Sequence, residues 1–505
     1  MKFELYHTLL AALAAPAYAT SPPTASFNNS ISWTACEAGS PDGLHCGQLQ
    51  VPLDWSKPHG EMITLGLMKL EATSKSEKLG SLMFNPGGPG GAATTMCKYQ
   101  AAGVPFFGKP LTDHFDIICP DPRGVGISSP ISCDASLWNH LPSLFPKNEE
   151  EYQRLLDTSK AFASSCLELS GDLVRHVDTM SVVHDIEALR LALGDGKLNW
   201  LGISYGTQVA AQYAATYPES IRSIVMDGNV DHTSTEIYTT NAEAATYEDE
   251  LVRFFEWCSV TECCPLHGQD VSMLFLDLAA KADSEAIPAP GCLATANTSS
   301  AGSCRSNVTG EDIRFNVQGN SLLTHKDETA IALGWGLLGQ ALNESLQGNA
   351  TLLSSGWATD NNSSLWQGLV IGCLDWYATT DSFAQNEYRQ SLGNAIAPHT
   401  KGASQSYMLN TRCIDWPFKP KNLPGKMNET ALRQAPPILM VNAEHDPESS
   451  FLWAQNLYAQ MPSATLLTRQ GDGHASYGNS GEAQAIIESY LVNLTMPAKN
   501  TIAKS

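Results

Sequence analysis

The hydrophobic pattern changes period several times along the 505 residues. Residues 46–72 hold two alternating runs, CGQLQVPLDW and MITLGLMKLEA, with a Pro/Gly turn between them. That alternation predicts an antiparallel pair of strands. Next come continuous apolar runs that end in polar, glycine-rich loops: the start of GSLMFNPGGPGGA, and Phe115 to Cys119 in HFDIICPDPRGVG. In SVVHDIEALRLALGD, residues 181–195, Val182, Ile186, Leu189 and Leu193 fall at helical spacing. LNWLGIS then reads as a strand, TQVAAQYAATYP as a helix ending before Pro218, and IRSIVMDG as another strand. Buried strands alternating with helices imply an α/β fold, a mostly parallel sheet covered on both faces.

From about residue 232 to 430 this pattern lapses. The segment is helical in patches, rich in cysteine, and interrupted by Gly/Ser/Thr stretches. Sheet-like runs return at PPILMVNAEHDP and ATLLTRQGDGHASYG, followed by a final amphipathic helix, EAQAIIESYLVNL. One α/β unit in two parts, 20–231 and 431–505, is therefore expected around a large, mainly helical insertion, 232–430.

The first nineteen residues stand apart. Lys2 precedes the apolar stretch Leu9 to Ala15, and Ala17-Tyr18-Ala19 has the small-x-small form of a cleavage site. Residues 1–19 are expected to be a secretory signal peptide, too short to span a bilayer. Export agrees with nine Asn-x-Ser/Thr triplets, at Asn28, Asn297, Asn307, Asn343, Asn349, Asn361, Asn362, Asn428 and Asn493. Most of them lie after residue 290, so N-linked glycans are expected there, on a secreted, extracellular protein. It agrees too with thirteen cysteines, since oxidising compartments permit disulfides. Close pairs invite local bridges: Cys36 with Cys46, Cys133 with Cys166, Cys292 with Cys304, and Cys373 with Cys413. Cys258, Cys263 and Cys264 crowd one segment, and the count is odd. Cys119, inside an apolar strand, is the expected unbridged, buried thiol. Zinc-finger ligand spacing is missing, so no metal or other cofactor is expected.

A net charge of −22 repels phosphate and anionic lipid, which argues against nucleic acid and anionic membranes as partners. It does not identify a substrate. That comes from Gly202-Ile203-Ser204-Tyr205-Gly206, which joins a strand to a helix. A sharp strand-to-helix turn lifts a serine out at the top of a sheet, and flanking glycines avoid clashes there. Ser204 is the candidate nucleophile. Its base is expected to be His474 in the glycine-flanked loop GDGHASYG. The orienting acid should follow the strand ILMVNAEHDP, which offers Glu444 and Asp446. Asp446, at the loop before Pro447, is preferred, with Asp227 as the alternative position. Oxyanion donors are expected from the Tyr205 backbone N–H and from the loop Asn85 to Gly90, at Gly88 with Gly87 in reserve.

Taken together, NPGGPGG (85–91), DPRGVGISSP (121–130), GISYGTQ, MDG (226–228), RCIDWP (412–417), AEHDP and GDGHASYG resemble the α/β-hydrolase superfamily. Within it they look most like secreted tripeptidyl and prolyl aminopeptidases. The resemblance implies an α/β-hydrolase fold and a serine exopeptidase acting on peptides with a free N-terminus. It puts Ser204, Asp446 and His474 at the triad positions, and gives Asp121 and Arg123 a structural turn. Asn85 stands where many relatives carry histidine, which tilts the resemblance toward the tripeptidyl enzymes. The resemblance also implies that the insertion caps the site and that its carboxylates bind the substrate ammonium. Glu236, Glu243, Glu248, Asp249 and Glu250 are candidates, although a charge run is more often a solvated helix face. A carboxylesterase or lipase could use the same triad. A catalytically inactive binding module on the same fold is the reading from another class.

Overall fold

The computed structural model describes residues 30–37, 39–295, 303–319, 334–479 and 481–504. The signal-peptide expectation and the triplets at Asn28 and Asn297 fall outside them. Among the described residues twelve strands follow one another: β1 Ser32–Ala35, β2 Leu44–Pro52, β3 Met62–Leu70, β4 Gly80–Asn85, β5 Phe115–Pro120 and β6 Leu198–Ile203, then β7 Ile221–Asp227, β8 Ile287–Pro288, β9 Asn307–Val308, β10 Ile438–His445, β11 Ala464–Asp472 and β12 Ile502–Lys504. Ten of them form one sheet in the order β1-β2-β3-β5-β4-β6-β7-β10-β11-β12, and β8 pairs with β9 alone. The pairs β1/β2, β2/β3 and β3/β5 are antiparallel. Every pair from β5/β4 to β11/β12 is parallel. The antiparallel pair read from residues 46–72 is β2 with β3.

The central strands β5 and β6 are buried at every position, as a sheet covered on both sides requires. Their side chains alternate between two cores with the period of a strand. Leu82, Phe84, Ile117, Leu201, Ile203, Val225, Leu439 and Val441 enter one core. There they meet Cys97, Leu111, Ile487 and Leu491 from the helices Thr94–Ala101, Lys109–His114 and Gly481–Asn493. Met83, Ile118, Trp200, Ile224, Met226 and Met440 enter the other, against Val182, Ile186, Leu189 and Val209. Those last four come from the helices Thr179–Leu193 and Tyr205–Thr216. The helix Thr179–Leu193 is capped by Asp178, whose carboxylate accepts the Ser181 N–H, and ends at the left-handed Gly194.

Between β7 and β10 the chain packs in two ways. The helices Glu236–Val260, Val271–Ser284 and Gly334–Leu346 build a core of their own, with Tyr247, Phe254, Phe275, Trp335 and Leu338 inside. The later stretch joins the sheet instead. Trp366, Val370, Cys373, Leu374, Cys413 and Phe418 lie in the core beneath Trp200 and Val209.

Six disulfides are formed among the described residues. Cys36–Cys46, Cys133–Cys166, Cys292–Cys304 and Cys373–Cys413 follow the local pairing read from the sequence. Cys258 pairs with Cys264, and the thirteenth cysteine, Cys263, is exposed. The expectation for Cys119 is corrected. It bridges to Cys97, because the helix Thr94–Ala101 crosses β5 on the face that Cys119 occupies.

Candidate active site

Ser204 follows the last residue of β6 and takes φ 55° and ψ −126°, a conformation that L-residues rarely adopt. Its N–H donates to the Asp227 carbonyl at 2.9 Å and its carbonyl accepts the Thr207 N–H at 2.8 Å, so the turn is held from both sides. The flanking glycines are required by space. A Cβ on Gly202 would overlap the Gly206 carbonyl and the Trp200 indole nitrogen, and one on Gly206 would come within 2.8 Å of the Asn85 carbonyl oxygen. The helix Tyr205–Thr216 starts immediately after Ser204, so its unpaired N-terminal N–H groups and positive dipole end lie at the serine.

The loop after β4 lies against this turn. Gly87 and Gly88 have φ 96° and 113°. The Asn85 carboxamide accepts the Gly87 N–H at 2.9 Å, so that donor is already engaged. A Cβ on Gly87 would sit 2.7 Å from the Ser204 Cβ. Gly88 lines a small cavity of about 30 Å³ together with Ser204, Tyr205, Trp376, Ser406 and Glu448. Beyond the loop, buried Asp121 accepts from the Thr94 N–H and hydroxyl and from the Ile127 N–H, each at 2.9 Å. Arg123 is fully buried and forks onto Asp185 at 2.7 and 2.5 Å. Its remaining N–H groups reach the Leu53, His176 and Pro52 carbonyls.

Asp446 follows β10 and is completely buried. Its Oδ1 is 2.8 Å from His474 Nδ1. It also accepts from the N–H groups of Glu448, Ser449 and Ala475 at 2.7–3.0 Å and from the Ser449 hydroxyl at 2.8 Å. Burial by itself would raise the Asp446 pKa. The His474 charge and these hydrogen bonds outweigh it and hold the carboxyl below its usual range. Burial would likewise lower the His474 pKa. Asp446 and Glu448, with a smaller effect from Asp227, reverse that and raise it to about 9.

Other ionisable groups near the site are engaged elsewhere. Asp227 accepts the Ser476 and Tyr477 N–H groups at 2.6–3.0 Å and so shapes the loop that carries His474. Asp472 pairs with Arg253 at 2.5 Å and His445 with Asp249 at 2.6 Å. Glu444 is half-buried on β10. Two residues of this site are not singled out by the sequence. The Ser449 hydroxyl lies 3.2 Å from His474 Nδ1, and Glu448 Oε2 lies 3.4 Å from His474 Nε2. Their only sequence signal is position, two and three residues after Asp446.

Residues 80–477 match the family model described as alpha/beta hydrolase fold. The chain belongs to this family. Putative hydrolase YuaR of Escherichia coli is 30% identical over 496 residues, 93% of this chain and 89% of the relative. Tripeptidyl aminopeptidase of Streptomyces coelicolor is 25% identical over 464 residues, 89% of this chain and 81% of the relative. Serine protease Hip1 of Mycobacterium tuberculosis is 33% identical over 246 residues, 47% of this chain. The chain spans about half the length of Hip1, 46% of it.

In this α/β-hydrolase the insertion carboxylates are mostly buried and paired rather than solvated. Glu236 meets Arg389 at 3.2 Å and Thr379, and Glu248 meets His399 at 2.5 Å. Glu243 has no exposed surface and accepts from Gln318 at 2.9 Å and the Ser406 N–H at 2.7 Å. Burial pushes its carboxyl up to about 7. Glu250 is buried with neither oxygen hydrogen-bonded, and burial together with Asp472 pushes it well up. A larger cavity of about 870 Å³, lined by Trp55, His184, Tyr217 and Met427 among others, includes none of Ser204, Gly88 and His474.

Proposed function

We propose that this α/β-hydrolase is a secreted serine exopeptidase that releases short peptides from free N-termini. His474 takes the Ser204 proton and Ser204 attacks the scissile carbonyl. The N–H groups of Tyr205 and Gly88 hold the oxyanion, and Asp446 orients His474 and stabilises its charged form. Water then releases the acyl-enzyme. The observation that carries this reading is the buried Asp446–His474 pair at 2.8 Å, linked through the Asp227–Gly228 backbone to a positive-φ serine whose neighbours must be glycine. The link between the two is short. A Cβ on Gly228 would lie 3.2 Å from His474 Cε1, and the preceding Asp227 accepts the Ser204 N–H. Support for peptide substrates comes from the names of two relatives, a tripeptidyl aminopeptidase and a serine protease. Asp231 and Glu448 line the cavity beside Ser204, and their charge suits a cationic peptide end. The insertion, 232–430, is read as the cap that closes over that end.

The test uses the purified protein and Ser204→Ala on three chromogenic substrates: a tripeptide amide with a free N-terminus, its acetylated form, and a short-chain ester. A serine-directed phosphonate should label Ser204. Cleavage confined to the free amide and lost in the variant is the expected result. Cleavage of the ester alone would replace the peptidase by an esterase. No turnover and no label would leave a binding module.

A further inference from the structure

His474 has one nitrogen for Asp446 and one for the reaction. Nδ1 is held by Asp446, so Nε2 must receive the Ser204 proton. That nitrogen faces a second carboxylate, Glu448, at 3.4 Å. Glu448 lines the cavity of Ser204, Tyr205 and Trp453 and also the open pocket of His474 and Ala475, so it stands where the two meet. Its backbone is pinned, since its N–H donates to Asp446 and the preceding Pro447 carbonyl accepts from Gln318. The side chain can turn while the loop stays in place.

We propose that Glu448 is a specificity-determining residue that holds the Nε2 edge of His474 in the free enzyme and passes to the ammonium group of an incoming peptide, freeing His474 to act as the base. This rests on the exopeptidase reading above. A partly buried carboxylate is costly unless a cation lies beside it. In the free enzyme that cation is the His474 imidazolium, and in the complex it is the peptide ammonium. With Glu448 withdrawn and a positive charge nearby, His474 loses its proton to solvent and becomes a base near neutral pH. Around His474 the charged groups are Asp446, Glu448 and Asp227; around Glu448 they are His474, Asp446 and, from the helix Glu236–Val260, Glu243. Every neighbour except His474 is acidic, so an arriving cation has no competitor among them. A peptide with an acetylated N-terminus cannot draw Glu448 away. Discrimination against it then falls on kcat, beyond any loss in KM.

The experiment compares wild type, Glu448→Gln and Glu448→Asp from pH 5 to 10 on the free amide, the acetylated amide and the ester. On the ester, which has no ammonium, the wild-type acidic limb of kcat/KM is expected at alkaline pH. Glu448→Gln should move it down by about one unit or more, and Glu448→Asp should keep it higher than Glu448→Gln does. The preference for the free over the acetylated amide should fall by about tenfold or more in Glu448→Gln, mainly in kcat. An unmoved limb with an unchanged preference overturns the proposal. If Glu448→Gln does not fold, Glu448→Ala supplies the same two readings. A wild type that cleaves the ester but neither amide overturns the exopeptidase reading and the ammonium step with it. The ester limb then still decides whether Glu448 controls His474.

Discussion

At the residue scale the two nitrogens of His474 face two carboxylates, Asp446 and Glu448. The His474 pKa is raised from 6.5 to about 9, with Asp446 and Glu448 overcoming the effect of burial. The sign follows from the folded state binding the proton more tightly. This pairing stabilises the fold fully below about pH 6.5, and the contribution is lost as pH rises through about 9. Thermal melts should therefore show wild type losing more stability between pH 6 and pH 10 than His474→Gln does, by roughly 1–3 kcal/mol. Equal slopes would mean that the ion pair is not formed in solution. Ser204, Asp446 and His474 were singled out in the sequence because each sits in a short, distinctive stretch at a strand end, and the structure pairs Asp446 with His474. Glu448 and Ser449 were not. Their contacts arise only when the loop after β10 curls back on Asp446, and no periodicity encodes that turn.

At the element scale the strand-to-helix turn is a packing problem with one solution. Gly206→Ala places a Cβ 2.8 Å from the Asn85 carbonyl, the residue that also fixes Gly87. The variant is expected to fold, with kcat/KM reduced by about a hundredfold as the oxyanion donors shift, since one such donor is worth roughly 2.7–4 kcal/mol. Wild-type kinetics from a folded variant would contradict this. Arg123 makes a different prediction. Arg123→Ala leaves Asp185 buried without its partner and should cost roughly 3–5 kcal/mol of stability, read as a lower melting temperature. The chemistry of any molecules that remain folded should change little. The core strands were readable as apolar runs between loop signals. β1 and β12 were not, because four- and three-residue edge strands carry too short a pattern. Cys119 misled for a related reason. The Cys97 that bridges it lies on a helix crossing the sheet, and sequence spacing does not report distance between elements.

At the scale of the whole molecule, residues 232–430 do not behave as one body. Residues around Tyr247 and Trp335 form a separate core, while Trp366, Val370 and Cys413 pack under the sheet, and Cys373–Cys413 ties that second stretch together. The lapse in strand pattern coincides with the stretch between β7 and β10, where the described residues add no strand to the main sheet, but it could not divide that stretch, since helices on the sheet and helices away from it share one apolar period. The same scale carries the export reading. Protein recovered from the medium of a glycosylating host is expected to begin at Thr20 and to lose mass on deglycosylation; retention of Lys2 would contradict it. All three scales meet in the proposed release of N-terminal peptide fragments by Ser204. The most direct measurement incubates an unmodified peptide and its N-acetylated twin with wild type and Ser204→Ala, and reads the products by mass spectrometry over time. Successive short fragments from the free N-terminus, absent from the acetylated peptide and from the variant, are predicted. Internal cleavage of both peptides, or identical products from Ser204→Ala, would contradict the account.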